Sequence, residues 1–191
     1  MKIYFTASLR GKNNKELNYI KIFNFIKSLG HQQLDDLVIS GDFDNFYNGS
    51  HEDQANLYKR ALENIKNADL VVLDVSIPSL SMGFLLLKAL EASKPVIALY
   101  RRGYEPYFAL GIEDERLQVI DYTEENLEIE LKSAIDLAQE KADVRFNFFI
   151  SPSIGAYLDW ISKIKKIPRS VYLRAIIEKE MNNNEEFKNS N

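Results

Sequence analysis

The feature that most constrains the fold is the alternation of continuous apolar runs with segments of helical periodicity. Residues 70–75 (LVVLDV) and 95–100 (PVIALY) are apolar at nearly every position. Such runs are typical of strands in a parallel sheet, because helices cover both faces of the sheet. Residues 2–8 and 34–40 predict two further strands, and residues 117–122 predict a weaker one.

The segments between these strands have the apolar spacing of amphipathic helices. Gly30 ends the first helix, and Ile77-Pro78-Ser79 separates a strand from the next helix. The predicted helices span residues 14–29, 52–67, 82–92 and 124–141. Strand and helix alternate throughout, which predicts an α/β fold, a three-layer sandwich with a mainly parallel sheet.

The pattern changes near residue 142. Residues 144–150 alternate as a single strand does, and two helices follow over residues 152–166 and 171–181. Ser170 is the predicted N-cap of the second helix, because a serine hydroxyl accepts hydrogen bonds from free backbone N–H groups. The sequence therefore predicts a domain at 1–142, a module at 143–182 and a polar, disordered tail at 183–191.

Charge is distributed unevenly between these parts. Residues 1–144 carry 16 Lys/Arg against 23 Asp/Glu, whereas residues 145–181 carry 7 against 3. A basic segment behind an acidic domain suits a polyanionic partner, although a solvated helix face has the same composition. With no cysteine, two histidines and no apolar run long enough for a membrane span, we expect no metal, no cofactor, no membrane contact and a cytoplasmic location.

Two loops after predicted strands carry groups that suit an anion. Ser8, Arg10 and Gly11 follow the first strand and combine a hydroxyl, a guanidinium and a permissive glycine in one turn. Ser79 and Gly83 follow a later strand and lead into a helix. Because ligands of open parallel sheets bind at the carboxyl ends of the strands, we predict that both loops face the same ligand.

These loops belong to two motifs, IYFTASLRG at residues 3–11 and ADLVVLDVSIPSLSMGFLLLKALEASKPVIALY at residues 68–100. Both motifs resemble the nucleoside 2-deoxyribosyltransferase family, and most closely its branch of deoxynucleoside 5′-monophosphate N-glycosidases. The resemblance covers residues 1–140 and implies a Rossmann-like fold, a homodimer or larger assembly, and a pocket for a deoxynucleotide. It assigns phosphate contacts to four residues, with Ser79 acting across a subunit interface and Ser8, Arg10 and Gly11 within one subunit.

The same resemblance places two family carboxylates at positions where this chain is apolar. The family has Gly, any residue and then Glu, but this chain reads Gly83-Phe84-Leu85. An aspartate on the preceding helix corresponds to Ala61, and Glu63 lies about 200° farther around that helix. A leucine supplies neither a nucleophile nor a proton, so we expect no catalytic residue and a degenerate enzyme. A retained nucleotide pocket, a pocket filled by side chains, and catalysis by displaced carboxylates all stay open.

The module at 143–182 resembles the ribbon-helix-helix family of dimeric DNA-binding domains, best in RFNFFISPSIGAYLDWISKIKKIPRSVYLRAIIEKE. The resemblance implies a second copy that pairs its strand with this one, above four helices. It assigns groove contacts to the strand residues Arg145, Asn147 and Phe149, and phosphate contacts to Arg169, Ser170 and Val171. A module that only dimerises, or packs on the first domain, fits the bulky Phe149 equally well.

Three functions follow from this reasoning. The leading hypothesis is a dimeric DNA-binding regulator whose first domain is catalytically silent and binds a nucleotide or mediates assembly. The second is an active deoxynucleoside or deoxynucleotide N-glycosidase whose C-terminal module serves oligomerisation only. The third is a purely structural protein that uses both parts for assembly.

Overall fold

The structure, a computed structural model, describes residues 1–11, 17–41, 48–140 and 149–188. The chain forms two compact units, residues 1–144 and 145–191. The predicted boundary at residue 142 falls among residues 141–148, which lie outside the described part, so its position stays a prediction.

In the first unit strands and helices alternate along the described residues. The strands are β1 (Lys2–Ala7), β2 (Gln32–Gln33), β3 (Leu70–Asp74), β4 (Val96–Arg101) and β5 (Leu117–Tyr122). The helices are α1 (Tyr19–Ser28), α2 (Leu37–Ser40), α3 (His51–Asn67), α4 (Leu80–Glu91), α5 (Tyr107–Leu110) and α6 (Leu127–Glu140). One turn of 3-10 helix, Leu9–Gly11, follows β1.

The strands form one sheet in the order β2-β1-β3-β4-β5, and every neighbouring pair is parallel. One face packs against α1 and α6, with Val72 and Leu99 buried there, and the other packs against α3 and α4, with Val71 and Leu73 buried there. Strand β3 is therefore buried on both faces, which is why its sequence is continuously apolar rather than alternating. The predicted α/β fold with a layer of helices on each face of a parallel sheet is confirmed.

The strand predicted at residues 34–40 is wrong. The structure has the two-residue strand β2 before this segment and the one-turn helix α2 inside it. Asp35 accounts for the difference, because its Oδ1 accepts a hydrogen bond from the backbone N–H of Leu37 at 2.8 Å and so turns the chain. The apolar run that follows buries Val38 from a turn of helix instead of a strand.

The described part of the second unit contains helices α7 (Pro152–Lys165), α8 (Arg169–Asn183) and the single turn α9 (Glu185–Lys188). The ends of α7 and α8 agree with the predicted helices to within two residues. The hydroxyl of Ser151 caps α7 by accepting from the N–H of Ile154 at 3.3 Å. The strand predicted at 144–150 lies mostly outside the described residues, so the ribbon stays a prediction.

Two details of this unit concern predictions made from the sequence. Helix α8 begins at Arg169 with Pro168 as its N-cap, so Ser170 lies inside the first turn and the predicted serine cap is wrong. A proline before a helix fixes the backbone that enters it, which moves the helix start upstream. The tail predicted to be disordered contains the turn α9, where the side chain of Asn184 accepts from the N–H of Phe187 at 3.0 Å, and the disorder stays a prediction.

Candidate ligand-binding site

A cavity of about 260 Å³ lies in the first unit beside β1, where α2, α3 and α4 approach this strand. Ten of its fourteen described lining residues are apolar, and the other four carry hydroxyl groups. By element, they are Tyr4, Thr6, Ala7 and Leu9 from β1 and its turn, Leu37 and Val38 from α2, Leu57, Tyr58 and Ala61 from α3, and Leu80, Ser81, Met82, Phe84 and Leu85 from α4. No described lining residue is charged.

Helix α3 is positioned by a capping box at its start. The hydroxyl of Ser50 accepts from the N–H of Asp53 at 3.1 Å, and the Asp53 carboxylate accepts from the N–H of Ser50 at 3.2 Å. Leu57 and Ala61 are four residues apart on this helix and therefore lie on the same face, which lines the cavity. The rings of Tyr58 and Phe84, with centroids 5.3 Å apart, join α3 to α4 at the cavity.

A polar network lies behind Tyr4. The carboxylate of Asp35 is 4% exposed and accepts from Arg60 Nη2 at 2.7 Å and from Asn64 Nδ2 at 2.6 Å. Burial raises the pKa of Tyr4 to about 12. Tyr4 therefore presents a neutral hydroxyl at physiological pH, and the polar part of the cavity is uncharged.

The three predicted phosphate-binding residues of the first turn do not line the cavity, although Leu9 of the same turn does. Ser8 is buried, and its hydroxyl has no hydrogen-bond partner among the described residues. Arg10 is exposed. Gly11 is buried, and a Cβ there would stand 2.3 Å from the Tyr19 hydroxyl oxygen, so close packing requires glycine at this position. Residues 12–16, which continue the loop, lie outside the described part.

The second predicted loop has a similar placement. Ser79 is the half-buried N-cap of α4, and its side chain makes no capping hydrogen bond. A Cβ on Gly83 would be 3.6 Å from the ring of Phe108, which is ordinary contact. Neither residue lines the cavity, although Leu80 and Phe84 beside them do. The structure thus brings the two loops to one cavity and turns their apolar residues into it.

Ala61 and Leu85 both line this cavity. These are the two positions to which the resemblance assigns the family's carboxylates, and the structure brings them to one site from neighbouring helices. Glu63 is exposed and accepts a hydrogen bond from Asn67 Nδ2 at 3.3 Å, and it is absent from the lining. The sequence predicted that Glu63 points elsewhere, and this is confirmed.

A second buried polar group lies on the other face of the sheet and was missed in the sequence. Asp74 ends β3 fully buried, where it accepts from the Tyr122 hydroxyl at 2.7 Å and from the N–H of Ser76 at 3.0 Å. Burial raises the pKa of Asp74. The one available signal was a single charged residue inside the apolar run LVVLDV. This group links the carboxyl ends of β3 and β5 and does not line the cavity.

The predicted DNA-contacting residues divide into three groups. Arg145 and Asn147 lie outside the described residues, whereas Phe149 is described and fully exposed. Arg169 forms an ion pair with Asp159, which already supplies a negative charge at the start of α8. Ser170 and Val171 are exposed in the first turn of α8.

Among the described residues, no group of three or more His, Asp or Glu side chains is arranged to hold a metal ion. Within the same residues, no helix is long and apolar enough to cross a membrane.

Comparison with known proteins identifies the first unit. A protein of Syntrophotalea carbinolica that is named for 2′-deoxynucleoside 5′-phosphate N-hydrolase activity is 32% identical over 126 residues, covering 64% of this chain and 84% of the relative. The chain belongs to the 2′-deoxynucleoside 5′-phosphate N-hydrolase family. A relative from Thermofilum pendens with the same name is 29% identical over 75% of this chain and 93% of its own length.

Another relative in this family is the 5-hydroxymethyl-dUMP N-hydrolase of Mus musculus, which is 28% identical over 66% of this chain and 75% of its own length. No model of a known protein family matches the chain. Among solved structures, the CMP N-glycosidase BcmB of Clostridium botulinum covers 71% of this chain and 99% of its own, at 16% identity and a TM-score of 0.41. At that score the likeness adds nothing to the family assignment, and the ribbon-helix-helix module stays a prediction.

Proposed function

We propose that this member of the N-hydrolase family binds a ligand in its cavity without hydrolysing it, and that its C-terminal module pairs with a second copy and binds DNA. The observation that carries the first part is the lining of the cavity, where Ala61 and Leu85 occupy the positions expected for carboxylates. No described residue that lines this cavity is charged.

The chemistry of N-glycosidic cleavage explains why these two positions matter. As the base departs, positive charge develops at the anomeric carbon, and a carboxylate attacks or stabilises this carbon. Alanine and leucine carry no group that does either. Asp35, another carboxylate near the cavity, is held by Arg60 and Asn64 and is absent from the lining. These facts favour a silent site over catalysis by displaced carboxylates.

The test is release of free base from 2′-deoxynucleoside 5′-monophosphates, measured by chromatography on the full chain. We expect no release above the protein-free control. The double variant Ala61→Asp with Leu85→Glu restores both carboxylates, and we expect it to produce measurable release. Turnover by the wild-type chain that disappears with Glu63→Gln or Asp35→Asn would show that displaced carboxylates work and would overturn the proposal.

Self-association of the module is supported by α8, in which no residue is buried. Eight large apolar side chains of α7 and α8 are between 43% and 63% exposed. A helix of this kind gains its stability from packing, and a second copy presents the same apolar surface.

DNA binding is supported by the basic charge of residues 145–181 and by the exposure of Phe149, Ser170 and Val171. The ion pair between Arg169 and Asp159 competes with a phosphate contact at the same helix start. The test is fluorescence anisotropy of the full chain with its own upstream DNA and with a scrambled sequence, over a salt series. We expect tighter binding to the upstream DNA than to the scrambled DNA. We also expect the logarithm of the binding constant to fall linearly with the logarithm of the salt concentration, with a slope of about −0.9 for each phosphate contacted. Equal weak binding to both DNAs would reduce the module to a dimerisation device.

A further inference from the structure

The cavity of the first unit is suited to a ligand without charge. Its wall consists of aliphatic side chains such as Leu57, Met82 and Leu85, and no described lining residue is Lys, Arg, Asp or Glu. The guanidinium of Arg60, close behind, is 2.7 Å from the Asp35 carboxylate and is neutralised by it. An ionised phosphate buried against this wall would lose its hydration without gaining a partner of opposite charge among the described lining residues.

The hydroxyl groups of the cavity give a ligand a polar edge to bind. Tyr4 and Thr6 are two residues apart on β1, so their side chains project from one face of the strand, and both line the cavity. Near this edge, Asn64 Nδ2 donates to the buried Asp35 carboxylate at 2.6 Å. A hydroxyl both donates and accepts, so this edge matches the ring nitrogens and exocyclic groups of a neutral heterocycle.

The aromatic side chains and the volume of the cavity favour a planar ligand. The rings of Tyr58 and Phe84 are tilted by 58° and flank the cavity where α3 meets α4. The volume of about 260 Å³ exceeds the roughly 150 Å³ of an engineered cavity that holds benzene. A molecule of one or two fused rings therefore fits, with its face against the aromatic and aliphatic wall.

We infer that this cavity binds a small uncharged aromatic heterocycle, of the size of a free nucleobase and without a sugar phosphate. The polar edge of the ring faces Tyr4 and Thr6, and its body lies against Ala61 and Leu85. The inference rests on the proposed function, because a hydrolysing enzyme needs its nucleotide at the same place. A free nucleobase and another neutral heterocycle share this chemistry, and the experiment distinguishes them.

The experiment is isothermal titration calorimetry of the full chain with five probes: adenine, thymine, indole, and the 2′-deoxynucleoside 5′-monophosphates of the two bases. We expect at least one uncharged probe to bind tenfold or more tightly than either monophosphate. Preference for adenine or thymine over indole assigns the ligand to the nucleobases, and the reverse preference assigns it to other heterocycles. Tighter binding of a monophosphate than of its base, or no binding of any uncharged probe, would overturn the inference.

Variants locate the binding in the cavity. Two substitutions, Leu85→Trp and Ala61→Phe, each place a ring in the cavity, and Ala61 is the half-buried one of the two positions. We expect either substitution to abolish binding of the heterocycle while the circular dichroism spectrum stays unchanged. Leu137→Trp makes the matched change at an exposed position on α6 and should bind as the wild type does. Tyr4→Phe removes one hydroxyl, and we expect about tenfold weaker binding of the heterocycle. Binding that survives in a folded Ala61→Phe variant would place the ligand elsewhere.

Failure of this inference and failure of the proposed function give different results. Release of base from a monophosphate by the wild-type chain contradicts the proposed function, whichever probe binds best. Absence of release, together with a monophosphate that binds more tightly than its base, leaves the proposal of a silent enzyme intact and contradicts only the uncharged ligand.

Discussion

At the scale of single residues, Asp74 is the group whose surroundings depart most from those of an ordinary carboxylate. It is fully buried, and two hydrogen bonds hold it, one from the Tyr122 hydroxyl and one from the N–H of Ser76. Burial raises its pKa because the charged form loses its hydration, and the hydrogen bonds offset part of this effect. Protonation of Asp74 is thus coupled to folding.

The direction of that coupling gives a prediction. The folded chain holds the Asp74 proton more tightly than the unfolded chain, so the free energy of unfolding falls as pH rises from about 3.9, the ordinary carboxyl pKa, through the raised pKa of the folded state. The Asp74→Asn variant has no ionisable group at this position, so its free energy of unfolding does not fall with pH for this reason. We expect the variant to gain stability relative to the wild type across that window, as measured by urea denaturation from pH 3.5 to 8. Parallel curves for the two proteins would contradict the coupling.

The substitution Tyr122→Phe tests the hydrogen bond between Tyr122 and Asp74 by removing its donor. The variant removes the hydroxyl that donates to Asp74 at 2.7 Å, leaving a buried acceptor atom without that partner. We expect a loss of about 1–3 kcal/mol in the free energy of unfolding at neutral pH. This hydrogen bond lowers the pKa of Asp74, so its loss raises that pKa further. The free energy of unfolding of the variant should therefore fall more steeply with rising pH than that of the wild type. A variant as stable as the wild type at every pH would contradict both expectations.

Residue-level features were the hardest to predict from the sequence. The family resemblance located Ala61 and Leu85, and the structure brings both to one cavity. Gly11, however, was interpreted as a phosphate-binding residue, and the structure supplies a packing reason in the Tyr19 hydroxyl 2.3 Å from an added Cβ. The pair of Asp74 and Tyr122 joins residues 48 positions apart, which no local pattern reveals.

At the scale of elements, α3 and α4 form two walls of the cavity and begin in different ways. Helix α3 has a complete capping box at Ser50, whereas Ser79 at the start of α4 makes no capping bond with its side chain. We expect Ser50→Ala to lower the free energy of unfolding by about 1 kcal/mol, since it leaves a helix N–H without its acceptor. Ser79→Ala is the matched control, and we expect it to lower the free energy of unfolding by a few tenths of a kcal/mol at most. Equal losses in thermal or urea denaturation would contradict the role of the cap.

Elements with strong periodicity were predicted well for the same physical reason that stabilises them. Strand β3 differs from its predicted bounds by one residue at its end, and α3 differs by one residue at its start, because burial on one or both faces imposes the apolar pattern in the sequence. The segment at α2 was misassigned because a single side-chain hydrogen bond from Asp35 decides its conformation. Short apolar runs fit a strand and a helical turn equally well.

At the scale of the whole molecule, the two units differ in charge and in how much apolar surface they bury. The first unit buries two apolar clusters, one on each face of its sheet. In the second unit α8 has no buried residue. On this helix Tyr172, Leu173, Ile176, Ile177 and Met181 span about half of the circumference and form a wide apolar face. The Tyr172 ring contacts Tyr157 of α7, whereas Ile176, Ile177 and Met181 are exposed.

This face predicts the assembly state. A glutamate in the middle of it, in Ile177→Glu, places a charge where a second copy would bury an apolar side chain, so we expect the variant to be monomeric. Ala175→Glu adds the same charge to the same helix outside the apolar face and should leave assembly unchanged. Light scattering after size-exclusion chromatography should give the mass of two or more 22.1-kDa chains for the wild type and the control, and of one chain for Ile177→Glu.

The same pair of variants links assembly to DNA binding. If the groove is read by strands from two copies, then a monomeric chain lacks half of the contacts, and its affinity for upstream DNA should fall toward that for scrambled DNA. The Ala175→Glu control has the same net charge as Ile177→Glu, so electrostatic repulsion of phosphate affects both equally. A loss of DNA affinity confined to Ile177→Glu therefore reports assembly and not charge. Equal loss in both variants would mean that one copy carries all of the DNA contacts, and the paired-strand arrangement would be wrong.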